Sequence, residues 1–377
     1  MSTGVYTHVP FCVQKCAYCD FLSFGCDVNG GDEVFEKYVD ALLTEIKSVG
    51  NCREIIDTVY FGGGTPTVLP SPLLCKILQA IKQFPLTSDA EITVESNPGT
   101  LTPEYLAALK AAGVTRLSMG LQSTHLHLLQ VLGRMHSKDD LIENFHAARH
   151  AGFENINIDL MFGLPGQTPE QWRETLREVI ALAPEHISAY GLTPAEDTPL
   201  WNQLESGQVC LLDDEIERDM YHTARRMLTD AGFSHYEISN FAKPGFESRH
   251  NINCWTMKPY RGFGLGAHSF DGAARWRNTH GMAEYLCQNF TNESYKHDIQ
   301  HLTTADIMAE TMILGLRLTQ GVSQQAFAEV FGVTPAQQYP DEINQLIAAD
   351  LLDVNGDNLA LTTKGLDFAN RVFAAFV

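Results

Sequence analysis

Three closely spaced cysteines near the start of the chain are the residues best suited to chemistry. They lie within eight residues, in Cys12-Val-Gln-Lys-Cys16-Ala-Tyr-Cys19. Cubane iron–sulfur clusters are held by thiolates, normally four. Three thiolates would leave one iron open to a small molecule, so the spacing favours a 4Fe-4S cluster held by Cys12, Cys16 and Cys19. Zinc with a distant fourth ligand and plain reduced thiols are the alternatives that the spacing leaves open.

A glycine-rich turn, Gly62-Gly63-Gly64-Thr65-Pro66, follows a short β-branched and aromatic run. Glycines let a backbone approach a ligand closely and leave N–H and C=O groups free to bind it. No Gly-Lys-Ser/Thr follows, and the spacing differs from the dinucleotide fingerprint, so neither phosphate-binding loop fits. The turn therefore predicts a ligand contact of another kind.

Composition and charge limit the classes of function. The chain has 377 residues and a formal net charge of −20. The average electrostatic field of such an acidic chain repels the phosphate backbone of a nucleic acid, so we expect no nucleic-acid partner. The chain contains no run of about 18 apolar residues, so no membrane span is predicted. The first residues do not resemble a secretory signal. We expect a cytoplasmic protein whose membrane contact, if any, is peripheral.

Short strand-like runs alternate with longer helical segments over the first half of the chain. Such alternation is typical of parallel βαβ units. The predicted strands are Val5–Val9, Thr58–Phe61, Glu91–Glu95, Arg116–Gly120, Asn155–Met161 and His186–Tyr190. The predicted helices lie near 33–49, 70–83, 103–112, 138–151 and 169–182.

Helix boundaries are marked by local signals. Thr102 and Thr168 each precede Pro-Glu, a pattern of N-cap, proline at the first helical position and an early acid. Ser137 and Asp140 have the spacing of a capping box. Gly113 and Gly152 follow predicted helices and are expected in the left-handed conformation that ends them.

Polar residues follow the carboxyl ends of several predicted strands. They include Glu95, Gln122 and Asp159, together with the glycine-rich turn. Convergence from five or more strands suits a barrel better than a doubly wound sheet, whose ligands gather at one switch point. The sequence therefore predicts an α/β fold, an incomplete TIM-like (β/α)6 barrel.

The regular alternation of predicted strands and helices ends at about residue 195, and we predict three domains. We predict a barrel with the cysteine loop over residues 1–240 and a linker over residues 241–300 that contains a His-Asn-x-x-x-Trp segment. An α-rich, winged-helix-like module is predicted over residues 301–377. The acidic balance argues against DNA binding by this module.

The cysteine loop, with Tyr18 before its last cysteine, resembles the radical S-adenosylmethionine superfamily, and the glycine-rich turn resembles that family's contact for the methionine amino group. The resemblance implies that the open iron chelates S-adenosylmethionine, which is cleaved reductively. It also implies a set of residues lining the S-adenosylmethionine site: Tyr6, Tyr18, Gly63, Gly64, Thr65, Glu95, Gln122, Arg134 and Asp159.

Further stretches, distributed over nearly the whole chain, resemble the coproporphyrinogen dehydrogenase (HemN) group and the related haem chaperone (HemW) group. They are Tyr6-Thr-His8-Val-Pro10-Phe-Cys12, Leu117-Ser-Met-Gly-Leu-Gln122, Asn157-Ile-Asp159-Leu-Met-Phe-Gly-Leu-Pro165-Gly-Gln-Thr168 and Leu359-Ala-Leu-Thr-Thr-Lys-Gly365.

Two details favour the chaperone group. The dehydrogenase group has a further cysteine two residues after the third ligand, where this chain has Phe21. The chaperone group has His-Asn-x-x-Tyr-Trp, and this chain has His250, Asn251 and Trp255 with Cys254 replacing the tyrosine. The resemblance therefore implies haem as cargo, and His250 and Cys254 are the candidate haem ligands.

The implied partners are recipient haem proteins, respiratory or other. Two other functions stay open at this point. One is anaerobic coproporphyrinogen III dehydrogenase, which forms protoporphyrinogen IX through a 5′-deoxyadenosyl radical. The other is a radical enzyme that acts on another tetrapyrrole. Whether the chain is an enzyme, and its oligomeric state, are also left open.

Overall fold

A computed structural model describes residues 2–26, 32–50, 54–291 and 293–377. Cys52, one of the nine cysteines, lies outside these ranges. In chain order the strands are β1 (Ser2–Val9), β2 (Phe11–Cys12), β3 (Phe24–Gly25), β4 (Ile55–Gly63), β5 (Leu86–Ser96), β6 (Arg116–Gln122), β7 (Ile156–Phe162), β8 (His186–Gly191), β9 (Ser234–Glu237), β10 (Asn240–Ala242), β11 (Tyr260–Phe263), β12 (His268–Phe270), β13 (Ala274–Asn278), β14 (Lys296–His301), β15 (Val322–Ser323), β16 (Leu352–Asn355) and β17 (Asn358–Leu361).

The helices alternate with the strands of the first half and dominate the last quarter. They are α1 (Asp32–Ser48), α2 (Ser71–Ile81), α3 (Pro103–Ala111), α4 (Leu126–Val131), α5 (Lys138–His150), α6 (Pro169–Ala181), α7 (Pro199–Glu205), α8 (Asp214–Asp230), α9 (Arg249–Trp255), α10 (Met282–Cys287), α11 (Thr304–Gly315), α12 (Gln324–Phe331), α13 (Pro335–Gln338), α14 (Pro340–Ala348), α15 (Thr363–Asp367) and α16 (Ala369–Phe373). In the described ranges, no helix combines the length and the apolar character that a bilayer crossing requires.

The largest sheet has the strand order β14-β13-β12-β11-β1-β4-β5-β6-β7-β8-β10-β9. Strands β1, β4, β5, β6, β7 and β8 pair in parallel, as the alternation predicts. Within the described chain the sheet keeps two edges, β14 and β9, so it does not close on itself. The predicted incomplete barrel is confirmed.

Local signals in the sequence explain where the barrel helices begin and end. Thr102 accepts a hydrogen bond from the Tyr105 backbone, and Ser137 forms the predicted reciprocal capping box with Asp140. Gly113 and Gly152 have φ values of +89° and +86°. Because left-handed backbone is nearly free of strain only for glycine, these residues let the chain turn directly into the next strand.

The described residues form three hydrophobic clusters, of which two are large. The larger core packs the barrel strands against their helices, and residues such as Val59, Leu117 and Ile158 are fully buried in it. A separate core lies within residues 308–376 and includes Met312 and Val372. This second core joins helices α11, α12, α14 and α16 to a small sheet ordered β15-β17-β16, which matches the predicted C-terminal module.

The segment 241–300, for which the sequence predicts a linker, contains regular structure. Its strands β11 to β14 extend the barrel sheet beyond β1, and β11 runs parallel to β1 with Thr7 opposite Phe263. These strands are three to six residues long, too short to show a period-two pattern by themselves. The proposed division at residues 240 and 300 stays a prediction.

Candidate functional site

The cysteine loop is held in place by backbone hydrogen bonds at both ends. Cys12 ends β2, and its carbonyl accepts from the Cys26 amide at 2.8 Å. Farther along, the Ala17 amide donates to the Leu132 carbonyl at 2.9 Å, and the Cys19 amide donates to Cys16 at 3.3 Å. The loop therefore has a defined course across the carboxyl end of the barrel.

Cys12, Cys16 and Cys19 line one cavity of about 320 Å³ at this end of the sheet, which we call the cluster cavity. Strands β4, β5, β6 and β7 contribute to its walls. All but Tyr6 of the residues predicted to line an S-adenosylmethionine site also border it: Tyr18, Gly63, Gly64, Thr65, Glu95, Gln122, Arg134 and Asp159.

A chain of side-chain hydrogen bonds links the two ends of the cysteine loop. The Arg134 guanidinium donates to Tyr18 Oη at 2.9 Å and to Asn97 Oδ1 at 2.5 Å. Asn97 Nδ2 donates to Thr65 Oγ1 at 2.7 Å. The Thr65 hydroxyl in turn donates to Cys12 Sγ, 3.7 Å away. The guanidinium and the first cysteine are thus positioned by one network.

The glycine-rich turn packs directly against the cysteine loop. A Cβ atom at Gly64 would lie only 2.5 Å from the Phe11 carbonyl oxygen. Gly63 has a φ of +107°, which favours glycine strongly. Gln122 also has a positive φ, +71°, where β6 and β7 shift register. The glycines of the sequence and the positive φ values of the backbone therefore both indicate that the backbone on this side of the cluster cavity can approach a ligand closely.

Two carboxylates in the cavity lie in different environments. Burial raises the pKa of Glu95 to about 7, and its Oε1 accepts from Tyr60 Oη at 2.6 Å. Asp159 accepts from Ser118 Oγ at 3.1 Å and from Asn157 Nδ2 at 2.7 Å. Asp159 is therefore fixed in orientation by neutral donors, whereas the charge on Glu95 depends on pH near neutrality.

The three cysteines supply the number of thiolates that a cluster with one open iron requires. In the residues the structure describes, no three His, Cys, Asp or Glu side chains are grouped so that they could hold one metal ion. A cubane cluster makes a different demand, because each thiolate binds a different iron. Burial raises the pKa of Cys12 and Cys19, and coordination to iron would offset this by stabilising the thiolates.

The cluster cavity also offers a partner for a carboxylate ligand. Arg134 Nε is buried and has no hydrogen-bond partner among the described residues, although both terminal nitrogens are paired. An orphaned guanidinium donor is costly unless a ligand satisfies it. The cysteines, the close-packed glycines and this donor together fit a 4Fe-4S cluster with S-adenosylmethionine beside it.

A second cavity, of about 520 Å³, lies next to the first. The two cavities share Phe21, Gly63 and Glu95 in their linings. Tyr6 borders this second cavity instead of the cluster cavity, and its Oη lies 3.0 Å from His8 Nδ1. The sequence did not predict that Tyr6 borders the second cavity. Tyr6 lies on β1, between β4, which borders both cavities, and β11, which borders only the second.

The His-Asn-x-x-x-Trp segment forms the short helix α9, which brings His250 and Cys254 to the second cavity. Ser248 caps the helix, and the Glu91 carboxylate accepts from the His250 amide at 3.1 Å. Burial lowers the pKa of His250 to about 4 and raises that of Cys254 to about 11. Both side chains are therefore neutral at pH 7.

Asn97 and Tyr60 line the cluster cavity and form hydrogen bonds with predicted site residues, but neither was itself predicted as a site residue. Asn97 links Arg134 to Thr65, and Tyr60 donates to Glu95. The signal for Asn97 is its place two residues after Glu95, at the carboxyl end of β5. Tyr60 lies within a hydrophobic strand, where an aromatic residue is ordinarily read as part of the core.

Fold and site together define a class of protein. Residues 6–179 match the profile of the radical SAM superfamily, and residues 302–368 match the HemN C-terminal domain. Among solved structures, "Coproporphyrinogen III oxidase (HemN) from Escherichia coli is a Radical SAM enzyme" has a TM-score of 0.87 at 23% identity, covering 100% of this chain and 90% of that one. This likeness confirms the fold.

The curated relatives narrow the class. "Heme chaperone HemW" of Bacillus subtilis (strain 168) is 36% identical, covering 99% of each chain. Proteins of the same name from Lactococcus lactis and Escherichia coli (strain K12) are 34% and 32% identical; the matches cover 99% of this chain in both cases, and 97% and 98% of theirs. The chain therefore belongs to the heme chaperone HemW family.

Proposed function

We propose that this protein binds haem and delivers it to haem proteins, and that it carries a 4Fe-4S cluster and S-adenosylmethionine. The observation that supports this most is the pairing of two adjoining cavities. One is lined by the three cysteines and the other by the α9 segment. Full-length relatives at 32–36% identity carry the name heme chaperone.

In this proposal the residues of the cluster cavity hold the two cofactors. Cys12, Cys16 and Cys19 bind the cluster, and Arg134 Nε pairs with the carboxylate of S-adenosylmethionine. Asp159, with its carboxylate held by Ser118, is suited to ribose hydroxyls. When bound, the cluster supplies an open iron and the electron that cleaves the cofactor.

The second cavity is the proposed place for haem. It has the size of an ordinary ligand site, and Phe21, with 64% of its surface exposed, offers an apolar face at the border with the cluster cavity. His250 contributes to haem retention from the inner wall, and Cys254 lies on the same helix. Binding iron through Cys254 would require its thiol to lose a proton.

The recipients we propose are haem proteins, respiratory proteins among them, and we place the activity in the cytoplasm or at a membrane surface. The competing function is anaerobic coproporphyrinogen III dehydrogenation. Phe21 stands where the dehydrogenase group has a cysteine, and this favours the carrier.

The test is to reconstitute the cluster without oxygen and to assay two activities on the same preparation. We expect one haem bound per chain, transfer of that haem to an apoprotein, and no protoporphyrinogen IX formed from coproporphyrinogen III. Porphyrinogen turnover without haem binding would overturn the proposal. His250→Ala is expected to weaken haem retention, and Cys254→Tyr tests the other inner residue by a shift of the Soret band.

A further inference from the structure

The second cavity is bordered by four histidines, His8, His250, His268 and His280. An imidazole binds iron through a nitrogen lone pair that no other group occupies. The four rings differ in this respect, so their hydrogen bonds show which of them can act as ligands.

His8 has no nitrogen left for a metal. Its Nε2 lies 2.8 Å from the Leu22 carbonyl oxygen, which can only accept, so Nε2 carries the proton. Its Nδ1 then accepts from Tyr6 Oη at 3.0 Å. His8 therefore serves to orient Tyr6 at the inner end of the cavity.

His250 is closely packed. Its ring stacks on Tyr60 with the centroids 5.1 Å apart and the planes 26° from parallel. Its Nδ1 lies 3.0 Å from Thr58 Oγ1, and the residue is only 6% exposed. Its Nε2 forms no hydrogen bond within the described residues, but an iron on this nitrogen would bring the macrocycle against a wall residue that is held on both sides by Tyr60 and Thr58.

His268 and His280 differ from the other two because both are exposed and neither ring hydrogen-bonds to any residue in the part of the chain that the structure describes. His268 lies on β12, and His280 follows β13 by two residues. We call these two residues the outer pair. Both lower the pKa of His8, and His280 lowers that of His268, as neighbouring cations would.

Gly266 lets the outer pair come close together. Its φ is +66°, and a Cβ atom there would lie 2.8 Å from His280 Cδ2. The glycine is two residues before His268, so the backbone of this loop passes directly beside the His280 ring. A larger residue at this position would overlap Leu22 and the His280 ring, so at least one of these side chains would have to move.

The charge of the cavity also favours a ligand at its mouth. Among the described residues that line it, Asp20 and Glu95 are acidic and none is Lys or Arg. The two propionates of haem would therefore be repelled from the interior. Outside the lining, Arg275 and Arg277 lie near His268, each paired with an acid, Glu310 and Asp298 respectively. The surroundings of the mouth are therefore close to balanced in charge, whereas the lining itself is acidic.

We propose that the haem iron is ligated at the mouth of the second cavity by an imidazole of the outer pair, His268 and His280. This inference rests on the proposed function, since it assumes haem as cargo. His250 then forms the inner wall that retains the macrocycle. A ligand at an exposed position also suits delivery, because a recipient's own ligand can approach the iron there.

The experiment is a ferric haem titration of the full-length protein, followed by the Soret band and by electron paramagnetic resonance. The variants are H268A, H280A and the double variant, with H301A as a matched control, because His301 is exposed on β14 and does not line the cavity. We expect the double variant to bind haem at least about tenfold more weakly, to lose the imidazole signature, and to regain it with added imidazole.

The outcomes separate the two proposals. If the wild-type protein and H301A bind no haem, the proposed function fails and the inference fails with it. If both bind haem and the double variant keeps the wild-type spectrum and affinity, only the inference fails. Loss of the signature in H250A, with the double variant unchanged, would assign the ligand to the inner wall instead. Unfolding midpoints of all variants verify that they are folded.

Discussion

At the scale of single residues, Asn97 joins the parts of the cluster cavity that come from different strands. It accepts from Arg134 at 2.5 Å and donates to Thr65 at 2.7 Å. Arg134 in turn reaches Tyr18 in the cysteine loop. One amide thus positions both the proposed carboxylate partner and the hydroxyl beside Cys12.

Asn97→Ala is expected to weaken S-adenosylmethionine binding by about tenfold, because a buried guanidinium and a hydroxyl lose their shared partner. Equilibrium dialysis with the reconstituted protein measures this. Asn202→Ala, on the exposed side of α7, is the control and should bind as the wild type does. Equal affinity in both variants would show that the network does not organise the site.

A second residue-scale prediction concerns Glu45, which lies far from solvent. Burial raises its pKa from 4.5 to about 7, and it accepts from Tyr285 Oη and Asn278 Nδ2, both at 2.6 Å, and from the Gly264 amide at 2.9 Å. The folded state therefore keeps a proton that the unfolded state releases above pH 4.5. Its contribution to stability is full below that pH and is lost as the pH rises through about 7.

Urea unfolding at pH 5 and pH 8 tests this for the wild type and Glu45→Gln. We expect the stability difference between the two proteins to change between these pH values, with the wild type losing its advantage at the higher pH. Other titrating groups are common to both proteins and cancel in the difference. A difference that is the same at both pH values would contradict the pKa assigned to Glu45.

Much of the candidate site, but not all of it, could be predicted from the types and spacing of residues in the sequence. Cys12, Cys16 and Cys19 could be found by spacing, and Glu95 and Asp159 by their place at strand ends. Asn97 also stands at a strand end, but its link between Arg134 and Thr65 could not be predicted, because both partners lie more than 30 residues away. Nor could the sequence show that His268 and His280 lack hydrogen-bond partners among the described residues. Such relations exist only in the folded chain.

At the scale of elements, the cavity depends on how closely the glycine-rich turn meets the cysteine loop. The Gly64 amide donates to the Val9 carbonyl at 2.8 Å, and the Thr65 amide donates to the Phe11 carbonyl at 2.7 Å. These bonds join the end of β4 to the segment that leads into Cys12. The approach leaves no room for a side chain at position 64.

Gly64→Ala is therefore expected to displace the turn and to lower iron and sulfide content after reconstitution to less than about half, because an added methyl group would overlap backbone atoms that cannot move aside. Gly25→Ala is the matched control, since its nearest neighbour, the Lys15 amide nitrogen, lies 3.8 Å from the added Cβ. Full cluster content in Gly64→Ala would show that the contact is not required.

The elements themselves were largely predictable. Barrel strands and helices follow from hydrophobic runs with capping residues such as Ser137 and terminal glycines such as Gly152. Strand β11 was not, because four residues, Tyr260–Phe263, become a strand only through pairing with β1. Short strands are determined by their partners more than by their own sequence.

At the scale of the whole molecule, the C-terminal module is joined to the barrel through Arg317. Its guanidinium lies 4.4 Å from the centre of the Trp255 ring and 3.8 Å from Glu237 Oε2. Glu237 is fully buried, and burial raises its pKa. Trp255 ends the α9 segment, so the module contacts the same helix that carries His250.

Arg317→Ala is expected to destabilise the protein by about 2 kcal/mol, since it leaves Glu237 buried without its nearest cation; the partial exposure of Arg317 reduces the effect below that of a fully buried pair. Urea unfolding measures the change. Arg371→Ala, exposed on α16 of the same module, should change stability by less than about 0.5 kcal/mol. Equal stability of the two variants would contradict this account of the junction.

The measurement that tests the central claim most directly is haem transfer. Anaerobically reconstituted protein, loaded with one equivalent of haem, is mixed with a respiratory apocytochrome, and the Soret band of the acceptor is followed against free haem. A parallel sample receives coproporphyrinogen III. We predict transfer that is faster than from free haem, and no protoporphyrinogen IX. Formation of protoporphyrinogen IX, with no haem bound or transferred, would contradict the account.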